Sequence, residues 1–273
     1  MRYYTALTIA GSDSCGGAGI QADIKTMSAL GVYAASAITA ITVQNTKGVY
    51  GIQNVEPEIV KGQIEAVMED IHPDAIKIGM VNDCDTIRAI AETLKKYQES
   101  FQHLVIDPVM VSTSGCRLMQ EDALQVFRTE LMPLASLLTP NVPEAEILSG
   151  IKIETVDDMD RAANKICREA GCAVLVKGGH LDGNTKTDIL YADGQRVETF
   201  EAQTVETRNT HGTGCTLSSA ITAHLALGHT MADAIRQAKT YLYKALEAGK
   251  DVEIGRGHGP VNHFFNPHPY YTK

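Results

Sequence analysis

Residues 4–30 read YTALTIAGSDSCGGAGIQADIKTMSAL. The run at 4–10 is apolar almost throughout and reads as a strand buried on both faces. Glycine and small polar residues follow at 11–19, and helical periodicity sets in over 20–30. A strand, a glycine-rich turn and a helix make the first half of a β-α-β unit. The same alternation continues outward. Strands are expected at 35–43, 75–79, 104–107, 137–139 and 173–177. Helices are expected at 57–70, 83–97, 121–130 and 157–170, with Pro57 suited to a first helical turn. Segments 188–192 and 196–204 flank Asp193-Gly194 and read as a hairpin. Two helices, 212–227 and 231–248, close the chain. The fold class is therefore α/β, a largely parallel sheet with helices on both faces.

The chain has 273 residues, 24 Lys and Arg against 33 Asp and Glu, and a net charge of −9. Its length allows one or two domains, and the absence of a linker, repeat or low-complexity segment favours one spanning 1–273. An acidic surface opposes nucleic-acid binding, which needs clustered positive charge. It also stands against polyanionic ligands unless counter-charge is local. No stretch has the pattern of a signal peptide or the roughly 18 apolar residues of a membrane span. The six cysteines form no CxxC pair and no zinc spacing, as expected of reduced thiols in a cytoplasmic protein.

In an open α/β sheet, ligands bind beyond the carboxyl ends of the strands. Those ends carry Gly11-Ser12-Asp13, Gln44-Asn45-Thr46, Gly79-Met80-Val81, Asp107-Pro108-Val109, Asn141 to Glu144, and Lys177 to His180. Before the first closing helix stands NTHGTGCT, 209–216. Glycines there open the free N–H groups of a helix start to an anion. The GxxxxGK[ST] loop is absent, and 16–19 lacks GxGxxG spacing, so neither common nucleotide motif applies. Cys215 reads equally as a thiolate favoured by the helix start or as a small buried thiol. His211 lies four residues earlier, and a Cys–His hydrolase pair is a weaker reading of the two. His224 falls on the apolar stripe and reads as a satisfied core histidine.

In order along the chain stand AGSDSCGGAGIQAD (10–23), AITVQNT (40–46), KIGM (77–80), DPVM (107–110), TPNVPE (139–144), VKGGH (176–180), HGTGCTLS (211–218) and GHGPVNHF (257–264). With these the sequence resembles the ribokinase-like superfamily, and within it the bacterial hydroxymethylpyrimidine/phosphomethylpyrimidine kinases. The resemblance implies a three-layer αβα sandwich, a homodimer, and use of ATP and Mg²⁺. It implies phosphorylation of 4-amino-5-hydroxymethyl-2-methylpyrimidine and then of its monophosphate. It assigns Gln44 to the pyrimidine edge, with Gly11, Asp23, Met80 and Val109 around the ring. Gly212, Thr213, Gly214 and Cys215 would hold the transferring phosphate. Asp107 and Glu144 would serve the metal, with Asn141 and Thr213 on the nucleotide side and Lys177 at the ATP phosphates. Much of the superfamily has an Asp base where this chain has Cys215, which leaves a base and a phosphate stabiliser both open. Pyridoxal kinase activity and a non-catalytic ligand sensor are the alternatives. A small site-closing flap is expected after Gly183 or near 112–116.

Overall fold

The computed structural model describes residues 1–110, 118–179 and 185–273. The first half runs β1 (Thr5–Asp13), α1 (Gly19–Ala29), β2 (Tyr33–Asn45), β3 (Gly48–Asn54), α2 (Pro57–Asp70), β4 (Ala75–Ile78), α3 (Cys84–Lys96) and β5 (His103–Ile106). One turn of helix, α4 (Ala123–Val126), then widens into a π-type turn at Phe127–Leu131. After it come β6 (Leu137–Leu138), α5 (Val142–Ser149), α6 (Val156–Ala170) and β7 (Ala173–Lys177). The hairpin β8 (Thr185–Ala192) and β9 (Gln195–Gln203) leads to α7 (Thr213–Ala226) and α8 (Met231–Gly249). Among the described residues these strands form one sheet in the order β3-β2-β1-β4-β5-β6-β7-β8-β9. The six from β2 to β7 pair in parallel, and β3, β8 and β9 add antiparallel edges.

Side-chain alternation along the strands builds two cores. Leu7, Ile9, Leu104, Ile106, Leu138, Val174 and Val176 enter one with α2, α3 and α6. Ala6, Val105, Leu137 and Leu175 point the other way, onto α1, α7 and α8. Both faces are covered, so the strand sequences lack polar alternation. Local chemistry sets the helix ends. Asp83 caps α3 by accepting from the Thr86 amide, and Thr155 and Asp158 form a capping box on α6. The expected hairpin turn is present, with φ of 52° at Asp193 and 71° at Gly194.

Three elements differ from expectation. Strand β1 continues through Gly11-Ser12-Asp13, because Ser12 and Asp13 find partners in Ile41 and Thr42 after a register shift. Strand β3 carries few large apolar residues; it forms because β2 supplies its hydrogen bonds, as at Gln44–Val49. The segment 142–149, for which no helix was expected, is helical: Asn141 caps it, Pro143 sits in the first turn, and Glu144 closes a capping box. The expected flap positions, 112–116 and Gly183, lie outside the described residues, as does His180. No helix among those residues is long and apolar enough to cross a membrane.

Candidate active site

From β1 the chain goes to one side for β2 and β3, then to the other for β4. The carboxyl ends of β1 and β4 therefore flank the point where the strand order reverses, where open sheets bind ligands. A cleft of about 720 Å³ lies there. It is lined by Gly11, Gln44, Met80, Asp107, Val109, Asn141, Glu144, Lys177 and the stretch Gly212 to Cys215.

At one end is an apolar slot. Ala40, Met80 and Leu118 pack together with Val109 against them. Gly11 lets Met80 come close: an added Cβ would lie 2.5 Å from the Met80 methyl and push that side chain aside. Gln44 stands beside this slot, with its carboxamide 3.1 Å from Thr42 Oγ1 and 3.4 Å from His211 Nε2.

At the other end is the start of α7. Gly212 adopts φ +78° at its cap, and a Cβ there would overlap the Gly17 carbonyl. The first-turn amides of Thr213, Gly214 and Cys215 belong to the group that has no intrahelical acceptor. An added Cβ on Gly214 would lie 3.5 Å from Asp107 Oδ2 and 3.6 Å from Lys177 Nζ. The helix start thus opens onto an acid and a lysine from β5 and β7. The segment after α8 braces this loop: His211 N–H donates to the Gly259 carbonyl, and Asn209 Nδ2 donates to the Gly249 and Val252 carbonyls.

Lys177 Nζ donates to Asp107 Oδ1 at 2.7 Å, and Thr139 Oγ1 donates to the same oxygen at 3.1 Å. Glu144 Oε2 accepts from the Asn141 amide at 2.8 Å. Burial pushes the Glu144 carboxyl up to about 7; Lys177 pulls against this and the negative Asp107 adds to it. Burial works against both charges of the Lys177–Asp107 pair. The attraction between partners prevails, so Asp107 lies below the usual carboxylate range and Lys177 above the usual amine range. Two buried carboxylates sharing one lysine fit a hard cation, whose preferred ligands are oxygens.

One expectation needs correction. Asp23 does not line the cleft. It is fully buried beneath it, where both carboxylate oxygens accept from Lys77 Nζ at 2.8 and 2.9 Å. Thr8 and Ser219 hydroxyls donate to it as well. A carboxylate that accepts four hydrogen bonds from three buried donors has no reason to face a ring. Of the two readings left open for Cys215, packing favours the buried thiol. Burial pushes its thiol up to about 11. Lys77 and a hydrogen bond from the Gly19 amide oppose burial, while Asp23 and Asp107 reinforce it. His224, away from the cleft, also departs from expectation: its buried Nδ1 has no hydrogen-bond partner, and burial lowers the ring to about 4.

Sequence reasoning missed two features. Lys77 is a fully buried cation reaching the cleft, and Asp23 with burial-opposing attraction keeps it protonated above the usual amine range. The signal was a lysine inside the central strand AIKI, where no solvent could reach it. The second is a hub at Asp13. Its Oδ2 accepts from the Gly17 and Ala18 amides at 3.0 and 2.8 Å, from Cys15 Sγ at 3.2 Å and from His211 Nε2 at 2.9 Å. Burial alone would raise this carboxyl, but the His211, Cys15 and Ala18 bonds hold it at about 2. Asp13, Cys15 and His211 could gather a metal ion, but the oxygen they share already has its lone pairs engaged.

Residues 13–262 match the family model described as phosphomethylpyrimidine kinase. A hydroxymethylpyrimidine/phosphomethylpyrimidine kinase of Rhizobium meliloti (strain 1021) is 52% identical over 260 residues, 95% of this chain and 96% of that protein. The crystal structure of a phosphomethylpyrimidine kinase from Clostridium difficile 630 superposes with a TM-score of 0.78 at 49% identity, covering 89% of this chain and 99% of that one. A pyridoxal kinase from Staphylococcus aureus, in complex with AMP-PCP and pyridoxal, gives 0.85 at 33% identity over 97% of this chain and 94% of its own. Apolar slot, helix start and buried acid–lysine pair thus sit in a chain similar to phosphomethylpyrimidine and pyridoxal kinases along most of its length, and the chain belongs to the phosphomethylpyrimidine kinase family.

Proposed function

We propose that this kinase transfers the γ-phosphoryl group of ATP to the hydroxymethyl oxygen of 4-amino-5-hydroxymethyl-2-methylpyrimidine, and then to the phosphate of the product. In the first transfer an O–P bond forms to the substrate oxygen, the β–γ bridging P–O bond of ATP breaks, and one proton leaves the hydroxyl. The observation that carries this reading is one cleft holding a flat apolar slot with a carboxamide at one end and an open helix start at the other.

Gln44 offers one donor and one acceptor, the complement of an aminopyrimidine edge. Met80 and Val109 pack on the ring faces beside Gly11. Such transfer depends on alignment and charge stabilisation more than on covalent chemistry. The amides of Gly214 and Cys215 aim at the phosphoryl oxygens where charge develops. Lys177 adds a positive charge held in place by Asp107. Asp107 and Glu144 would hold Mg²⁺, which supplies charge neutralisation at the phosphates when bound. Asn141 and Thr213 would lie along the nucleotide. Cys215 takes the hydroxyl proton as thiolate, a form that nearby positive charge must favour because burial opposes it. The whole chain acts as one kinase domain, works as a homodimer and resides in the cytoplasm.

The test is an ATP-dependent assay on the hydroxymethylpyrimidine, its monophosphate and pyridoxal. Turnover of both pyrimidines with higher kcat/KM than pyridoxal is expected. Preference for pyridoxal would overturn the reading in favour of vitamin B6 salvage, which the likeness to the Staphylococcus aureus enzyme supports. Tight pyrimidine binding without turnover would show a sensor.

A further inference from the structure

We propose that Asp13, acting through His211, sets which way round the Gln44 carboxamide faces the substrate, so that this relay selects a ring edge bearing an amino group. The inference rests on the pyrimidine-kinase reading and deepens it.

The argument follows protons. Asp13 is buried and accepts donors on both oxygens: Cys15 N on Oδ1, and two backbone amides, a thiol and His211 on Oδ2. A carboxylate so surrounded remains ionised and can only accept. The ring nitrogen 2.9 Å away, His211 Nε2, must therefore carry a hydrogen. The same nitrogen lies 3.4 Å from the end of Gln44 placed as Nε2. With its one hydrogen committed to Asp13, Nε2 has no lone pair left to accept the amide N–H. The two ends of a carboxamide have nearly the same shape, and the hydrogen-bond network decides between them. Turning the amide over removes the conflict. Gln44 Oε1 then shares the imidazole N–H as the longer, 3.4 Å acceptor beside Asp13 at 2.9 Å, and Gln44 Nε2 faces Thr42 Oγ1. That exchange is consistent with Thr42, whose single hydroxyl proton donates to the Ser12 carbonyl at 3.0 Å and leaves its oxygen free to accept.

His211 is held in place from behind as well. Its backbone N–H donates to Gly259 O, and Gly17 packs so closely on the ring that a Cβ there would overlap it. The ring cannot turn away to accommodate the opposite amide. The pocket therefore presents an acceptor on the His211 side and a donor on the Thr42 side. An amino group next to a ring nitrogen satisfies that pair. A 4-oxo ring, with a carbonyl next to a ring N–H, opposes it. Asp13 and His211 are in this account positioning residues.

Two measurements decide the matter. The ¹⁵N shifts of His211 in the full-length protein report which ring nitrogen carries hydrogen. A protonated Nε2 is expected, and a bare Nε2 overturns the relay. The second compares the aminopyrimidine with its 4-oxo analogue as substrates for wild type, Asp13→Asn and His211→Asn. Asp13→Asn can donate to the ring and reverse the proton order. His211→Asn leaves the Asp13 bonds to the glycine loop intact, which guards against simple misfolding. Both variants should lose at least ~10-fold of the discrimination between the two rings, the scale of one mispaired buried hydrogen bond. The KM for ATP should change by less than ~2-fold, since neither residue is aimed at the phosphates. Parallel losses with both rings and with ATP would show a purely structural hub and refute the proposal. If wild type neither binds nor phosphorylates the aminopyrimidine, the kinase reading and its ring-edge consequence both fail, whereas the ¹⁵N result still decides the proton order alone.

Discussion

Gly214 and Gly212 stand two residues apart, and alanine at each should fail in opposite ways. Gly214 is the second residue of α7 and its φ is not positive. A methyl there would sit 3.5 Å from Asp107 Oδ2 and 3.6 Å from Lys177 Nζ, both ordinary contact distances. Gly214→Ala should therefore fold normally. Replacing glycine within a helix gains up to about 1 kcal/mol, less in the first turn, so Tm should hold or rise by up to ~3 °C. The same methyl lies where a phosphoryl oxygen would approach the helix start. A hydrogen-bonding amide needs about 3 Å to its acceptor, and losing one such donor costs on the order of 10²–10³ in kcat. Gly212→Ala meets the opposite fate. Its φ of +78° is unfavourable for alanine, and the Cβ overlaps the Gly17 carbonyl. Strain of at least ~1–2 kcal/mol is expected from the backbone alone, with a lowered Tm. Differential scanning fluorimetry and steady-state kinetics on both variants make the comparison. A Gly214→Ala enzyme with wild-type kcat, or one destabilised by several degrees, would refute the placement of the phosphoryl group.

Glu144 supplies a pH test. Its carboxyl rises on folding from 4.5 to about 7. The proton bound there stabilises the fold fully at low pH, and that contribution, up to ~3 kcal/mol, is lost as pH climbs through about 7. Glu144→Gln should raise Tm at pH 8 and leave it nearly unchanged at pH 5, and Mg²⁺ with nucleotide should stabilise wild type more than the variant; equal Tm shifts at both pH values would contradict this. If the Cys215 thiolate takes the hydroxyl proton, log kcat should climb with a slope near ~1 below the pKa of the thiol. Cys215→Ala should remove most turnover and abolish that climb, while nucleotide affinity by calorimetry stays close to wild type; a flat profile or an active alanine variant would assign the proton elsewhere. Gln44→Ala should raise KM for the pyrimidine by ~10-fold or more and that for ATP far less, and equal increases would detach Gln44 from the ring.

Much of the fold was legible because the central strands are mostly apolar runs bounded by glycine or a polar residue, Lys77 in AIKI being an exception. The strand-end rule then placed Gly11, Gln44, Met80, Asp107 and Lys177 on one side of the sheet before any coordinates, and the cleft is there. What escaped had no local pattern. Strand β3 exists through its pairing with β2. Helix α5 hides behind two prolines that also suit a turn, and only the mutual bonds of Asn141 and Glu144 reveal the cap.

By itself the sequence determined the alternation of layers, most of the helix starts and the chemical types delivered at each strand end, because strand and helix periodicities are properties of neighbouring residues. Its motifs also marked the family. Tertiary structure alone decided the charges. Lys77 meets Asp23 across 54 positions, His211 meets Asp13 across 198, and Gln44 meets His211 across 167. Protonation follows from how deeply packing withdraws a group from water and which charge it then faces. That is why Cys215, open to either reading in the sequence, is a buried thiol, why Asp23 leaves the pocket to hold a lysine, and why an acidic chain still offers a phosphate its own counter-charge at one helix start and one lysine.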